Sequence, residues 1–153
     1  MLVSALDAYT YAYDHFPTFP PSWKISENFT WNEVFANECI SDGMPMLEVY
    51  ENAVQLAKQL QIIRTKLGKP IHIHCWVRQI KHNKRAGSTA KRSPHINGRA
   101  VDFHVNGMAE SDVRKKILEM KLPVRIEADT KGWVHIDVGN SYIKAYTWGV
   151  FKP

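Results

Sequence analysis

The sequence predicts an α+β domain, with N-terminal helices packed on a mainly antiparallel β-sheet. Three observations lead there. One long stretch, Pro45 to Leu67, has its apolar residues at helical spacing. Several short runs after Pro70 are β-branched and alternate apolar with polar residues, as strands do. Two of those runs flank Asp129-Thr130-Lys131-Gly132, a hairpin signal. At 153 residues the chain fits one compact domain and buries enough surface to fold without disulfides or a structural metal.

Residues 1–22 are rich in aromatics and proline (Tyr9, Tyr11, Tyr13, Phe16, Pro17, Phe19, Pro20, Pro21) and read as an arm laid against the domain or a partner rather than regular structure. The single domain then spans 23–153. Thr30-Trp31-Asn32-Glu33 is a capping-box pattern opening a short helix to about Glu38. Asp42-Gly43-Met44-Pro45 is a turn, with proline at the first position of the next helix. That helix carries Tyr50, Ala53, Val54, Ala57, Leu60, Ile63 and Leu67 inward, and Gly68 and Pro70 end it.

Pro70 to Val77 is a strand and Gln79 to Ser93 a polar, basic loop. Arg99 to Val105 alternates as a second strand. Glu110 to Met120 is a short helix with Val113, Ile117 and Met120 inward. Val124–Ala128 and Trp133–Val138 form the hairpin, and Ile143–Val150 adds a further strand. Trp76 and Trp133 read first as buried core, with a place in a cleft wall as the alternative.

Composition narrows the function classes. Apolar residues make up 44% and charged residues 23%, and no apolar run reaches the roughly 20 residues of a membrane span. Cys39 and Cys75 lack metal-site spacing and read as ordinary reduced residues. Met1 to Asp7 has no basic n-region, so synthesis in the cytoplasm without a signal peptide is the expectation. Net charge is +5, but seven Lys and Arg fall between Arg78 and Arg99 with no acid among them. Such a stripe suits an anionic polymer or a solvated loop. It has few aromatics for base stacking, which argues against a nucleic-acid partner.

Of seven histidines, His15 and His82 lie in loop-like surroundings and take no role. His72 and His74 share one strand face, where hydrogen-bonded structural histidines are the commoner finding. The informative segment is Ser93-Pro94-His95-Ile96-Asn97-Gly98-Arg99-Ala100-Val101-Asp102. A turn histidine and an aspartate entering a strand can converge on one cation, and a third ligand would come from Trp133-Val134-His135-Ile136-Asp137. His-x6-Asp spacing alone is weak evidence for a metal.

Ser-x-His-x-x-Gly-x-Ala-x-Asp followed by Val-His-x-Asp resembles the zinc D-Ala-D-Ala carboxypeptidase and endopeptidase family, which cuts peptidoglycan stem peptides. That family shares its zinc core with lysostaphin-type peptidases and the hedgehog signalling domain. The likeness runs from about Phe29 to Val138 and includes Leu67-Gly68-Lys69-Pro70-Ile71, Trp76-Val77-Arg78 and Asn83. It implies Zn2+ held by His95, Asp102 and His135. It further implies Arg78 facing the substrate carbonyl or carboxylate and Ser93 bracing the site, both counted as substrate-binding. Asn97 and Gly98 supply the turn that swings His95 towards Asp102.

The general base is open between two acids. Many family members carry an acid three residues before the last histidine, where this chain has Gly132. Asp137 lies two residues past His135 and shares its strand face. Glu127 is placed by the hairpin: a four-residue turn closed by Gly132 pairs Glu127 with His135 and Arg125 with Asp137, whereas a two-residue turn flips Glu127 to the other face and favours Asp137. The structural alternatives are that Asp137 orients a ligand histidine, or that both acids pair with Arg125.

The expectation is therefore a zinc peptidase that hydrolyses an amide of peptidoglycan stem or cross-link peptides. Arg78 and Glu127 or Asp137 are its catalytic residues. The small single domain looks like a phage endolysin released at lysis, or a virion component acting at the bacterial wall with the arm docked on another virion protein. The alternative is a weak or inactive binding protein that keeps the fold.

Overall fold

The computed structural model describes residues 1–35, 43–79, 93–139 and 149–152. Helix α1 (Ala5–His15) is followed by the short pair β1 (Lys24–Ser26) and β2 (Phe29–Thr30), the single turn α2 (Trp31–Val34) and the long helix α3 (Leu47–Leu67). Strand β3 (Ile71–Cys75), a 3-10 turn (Pro94–Asn97), β4 (Ala100–Val105), helix α4 (Glu110–Met120), β5 (Arg125–Glu127), β6 (Val134–Asp137) and β7 (Gly149–Phe151) complete it. The main sheet has the order β3-β4-β6-β5-β7, antiparallel except where β7 runs parallel to β5. The α+β class is as predicted. Among the described residues, no helix is long and apolar enough to cross a membrane.

The capping box forms as read: Thr30 Oγ1 accepts from Glu33 N–H, while Glu33 accepts from Thr30 N–H at 2.9 Å. Such a cap contributes about 1 kcal/mol. The predicted end of this helix near Glu38 lies outside the described residues. Helix α3 begins later than expected, because Met46 keeps extended backbone as its N-cap and leaves Pro45 outside. Gly68 closes it in the left-handed region at φ 63°, its N–H bonded to Arg64 O. Val49, Tyr50, Ala53, Leu56, Ala57, Leu60 and Ile63 form the buried face.

The first 22 residues correct the expectation of an irregular arm. Ser4 caps the 11-residue helix α1, and Ala8, Ala12 and Phe19 are buried in the same core as Trp31, Phe35 and Tyr50. Asn32 holds Phe19 by both backbone groups at 2.8 Å, and Trp31 Nε1 donates to Val3 O at 3.0 Å. The proline-rich stretch is thus pinned by paired hydrogen bonds as well as by aromatic packing.

Strand alternation divides the main sheet into two faces. Val101, Phe103, Val105, Ile126, Val134 and Ile136 are buried in the core. Asp102, His104, Arg125, Glu127, His135 and Asp137 alternate with them and share the opposite face. The hairpin register pairs Arg125 with Asp137, as the four-residue turn requires, and Gly132 takes φ 91° in that turn. Trp76 is buried as read. Trp133 is 40% exposed, against expectation, because it stands at the hairpin tip where strand pairing has ended.

Candidate metal centre

His95 owes its position to a short turn clamped on α3. Ser93 Oγ accepts from His95 N–H at 3.3 Å and caps the turn, and Gly98 closes it at φ 74°. A Cβ on Gly98 would stand 2.7 Å from Val49 O, so only glycine lets the turn lie this close to the helix. Asn52 Nδ2 donates to Asn97 O at 3.1 Å, a second tie to α3. The His95 ring donates from Nδ1 to Trp76 O at 2.8 Å, which leaves Nε2 turned to Asp102 Oδ1 at 3.3 Å.

Asp102 and His135 are direct cross-strand partners on β4 and β6. His135 Nδ1 stands 2.8 Å from Asp102 Oδ1, and its Nε2 donates to Asp137 Oδ2 at 2.8 Å. Asp102 Oδ2 accepts from Arg78 Nη2 at 3.1 Å. His95, Asp102 and His135 are all buried and offer three donor atoms within 4.8 Å of one another. Two imidazoles and a carboxylate are a donor set that suits zinc, with a position left for a fourth ligand. Each histidine also has its other nitrogen fixed by an oxygen acceptor, Trp76 O or Asp137 Oδ2, as metal-bound histidines do. These residues fit a transition-metal ion.

The electrostatics agree. Burial pushes the Asp102 carboxyl up, but His95 and His135 beside it outweigh this and hold it well below the usual range. Burial lowers the His135 pKa, yet its bonds to Asp102 and Asp137 prevail and raise it to about 9. The pocket is therefore one that favours positive charge.

The two candidate bases are placed differently. Asp137 is fully buried and heavily bonded: Arg125 reaches it by Nε at 2.7 Å and Nη2 at 3.0 Å, and Gly139 N–H at 2.9 Å joins His135. Burial raises its pKa, and the bonds from His135 and Arg125 more than reverse this. Glu127 has a side chain 26% exposed, with Oε2 4.0 Å from His135 Nδ1. Arg78 lies beside Asp102, its side chain 18% exposed, and its backbone N–H donates to His95 O at 3.1 Å.

Sequence reasoning missed the part played by four residues. Trp76 acts through a backbone carbonyl, which carries no side-chain signal. Phe151 packs edge-on against the His135 ring at 5.9 Å and lies under Arg125 at 4.1 Å, brought there by β7. Asn52 and Val49 shape the His95 turn from α3. The basic stretch 80–92, including Asn83, lies outside the described residues, as does Cys39; Cys75 is buried.

Comparison with known proteins places the chain in a family. The chain is 36% identical over 90 residues to the peptidoglycan L,D-endopeptidase MepK of Escherichia coli strain K12, a match covering 55% of this chain and 50% of that protein. The protein of the same name from Shigella flexneri matches to the same extent. The chain thus spans about half the length of these relatives. The family model described as peptidase M15 matches residues 27–137, a span that holds His95, Asp102, His135, Arg78 and Glu127. The chain belongs to the peptidase M15 family.

Proposed function

We propose that the protein is a zinc-dependent peptidase that hydrolyses an amide bond in the peptide part of peptidoglycan. The observation that carries this reading is the buried His95/Asp102/His135 group inside the span that matches the family. The named activity of its relatives, an L,D-endopeptidase on peptidoglycan, supports an internal bond between residues of opposite chirality rather than removal of a terminal D-Ala. The wall is then its place of action.

His95, Asp102 and His135 would hold the ion. When bound, zinc acts as a Lewis acid on the scissile carbonyl and makes water more acidic. The residues of the chain do the rest. Glu127 Oε2, beside His135 and open to solvent, takes a proton from the attacking water as its oxygen bonds the carbonyl carbon. The same carboxyl returns that proton to the amide nitrogen as the C–N bond breaks. Arg78 presents a planar, permanent charge to the oxygen that gains negative charge, and keeps Asp102 oriented. Asp137, clamped by Arg125, fixes the His135 ring. Ser93 serves substrate binding through the turn that it caps.

Mass spectrometry of purified peptidoglycan digested by the protein tests this reading. New stem-peptide fragments should appear with the wild type, vanish with His95→Ala and with chelator, and return when zinc is restored. Their masses name the bond. A protein that holds stoichiometric zinc but releases no fragments would overturn the peptidase reading in favour of a wall-binding one.

A further inference from the structure

The sheet face that carries the metal group continues past Asp102. His104 lies two residues on along β4, about 7 Å away on the same face, and is the direct cross-strand partner of His72. His74 follows two residues after His72. The three imidazoles meet: ring centroids are 4.9 Å apart for His72 and His104, 4.9 Å for His74 and His104, and 5.3 Å for His72 and His74. His74 Nε2 and His104 Nδ1 stand 2.7 Å apart. His72 and His74 are exposed and His104 half-buried, and the hydrolytic mechanism uses none of them.

Two histidines at i and i+2 of one strand and a third across from them project three imidazoles from one face. Around an ion with Zn–N bonds of about 2.0 Å and tetrahedral angles, imidazole centroids lie about 5 Å apart. The trio has that spacing, and so does the His95–His135 pair of the buried centre, at 5.2 Å. Among the described residues, only His95, Asp102 and His135 have three donor atoms already converged. In the trio His74 Nε2 and His104 Nδ1 are joined by a hydrogen bond at 2.7 Å, which opens when both nitrogens turn to an ion. Exposed imidazoles turn readily about their broad terminal torsion, so His72 aligns by side-chain rotation with the backbone unmoved.

We propose that His72, His74 and His104 form a second metal site, one that takes a first-row divalent ion of the zinc, nickel or copper class. Imidazole donors suit those ions, whereas calcium and magnesium require oxygen ligands. A tripod on an open sheet face leaves the outer coordination position to water or a carboxylate. Its exposure makes it the weaker of the two sites.

Equilibrium dialysis of the full chain against zinc, with bound metal counted by mass spectrometry, tests the site. The wild type should take up two ions per chain, and His72→Gln or His104→Gln one. In imidazole nitrogen NMR spectra, zinc should shift the His72, His74 and His104 rings whether or not His95 and His135 respond, which separates this site from the buried one. Wild type saturating with no response from the trio would overturn the proposal, as would unchanged uptake in both variants. Circular dichroism checks folding. Should His104→Gln fail to fold, the exposed His72→Gln carries the test.

Discussion

Asp137 accepts a hydrogen bond from His135 Nε2 at 2.8 Å while Arg125 grips the same carboxylate at 2.7 and 3.0 Å. Glu127, on the neighbouring strand, approaches the other nitrogen of the same ring and keeps its side chain partly in solvent. Two acids therefore flank one histidine from opposite sides, one bonded on both oxygens and buried, the other open.

That contrast separates their substitutions. Glu127→Gln should lower kcat on peptidoglycan by about 10²–10⁴ while zinc affinity changes little. Asp137→Asn should weaken zinc binding by about 10–100-fold, with activity largely recovered in excess zinc. Competition with a chromophoric chelator, run beside fragment release, measures both. Should Glu127→Gln retain full activity, the base lies elsewhere.

The hairpin that places these acids was legible in the sequence because Gly132 at the fourth turn position selects the register, and the register sets every face on β5 and β6. Helix α3 was legible for a similar reason, with periodicity along its length and Gly68 at its end. Helix α1 was not. Its buried residues on the core side are the small Ala8 and Ala12, one turn apart, while Tyr9, Tyr11 and Tyr13 dominate the eye at alternating positions. The metal group was visible as residue types but not as geometry, since the Trp76 carbonyl, Asn52 and Phe151 act from distant parts of the chain.

Metal removal should register in stability as well as activity. A ligand present at 100 times its Kd stabilises the native state by about 2.7 kcal/mol, roughly 5–10 °C in Tm for a domain of this size. Adding zinc to chelator-treated wild type should raise Tm by that order, and His95→Ala should lose most of the rise. Differential scanning calorimetry checks this. An equal rise in both proteins would place the stabilising ion outside the buried centre.

Gly98 should tolerate no side chain. Its φ of 74° costs an L-residue about 1–2 kcal/mol, and a Cβ would also press on Val49 O at 2.7 Å. Gly98→Ala should therefore destabilise the fold by about 2 kcal/mol or more and push the His95 turn off α3. Urea unfolding measures the first effect and zinc affinity the second. Loss of affinity with unchanged stability would mean that the turn moves without strain.

The N-terminal segment should behave as part of the folding unit. Removing residues 1–22 would strip α1 and Phe19 from Trp31, Phe35 and Tyr50, leaving large aromatic surfaces in water. At about 25 cal/mol for each Å² of apolar surface exposed, losing even Phe19 costs about 2 kcal/mol. Deletion should abolish cooperative thermal unfolding. A gentler probe is Asn32→Ala, which leaves the Phe19 N–H and C=O without their partner and should cost about 1–3 kcal/mol. If the deletion variant unfolds cooperatively with an unchanged Tm, the segment is a detachable arm after all, and its aromatics are there for a partner.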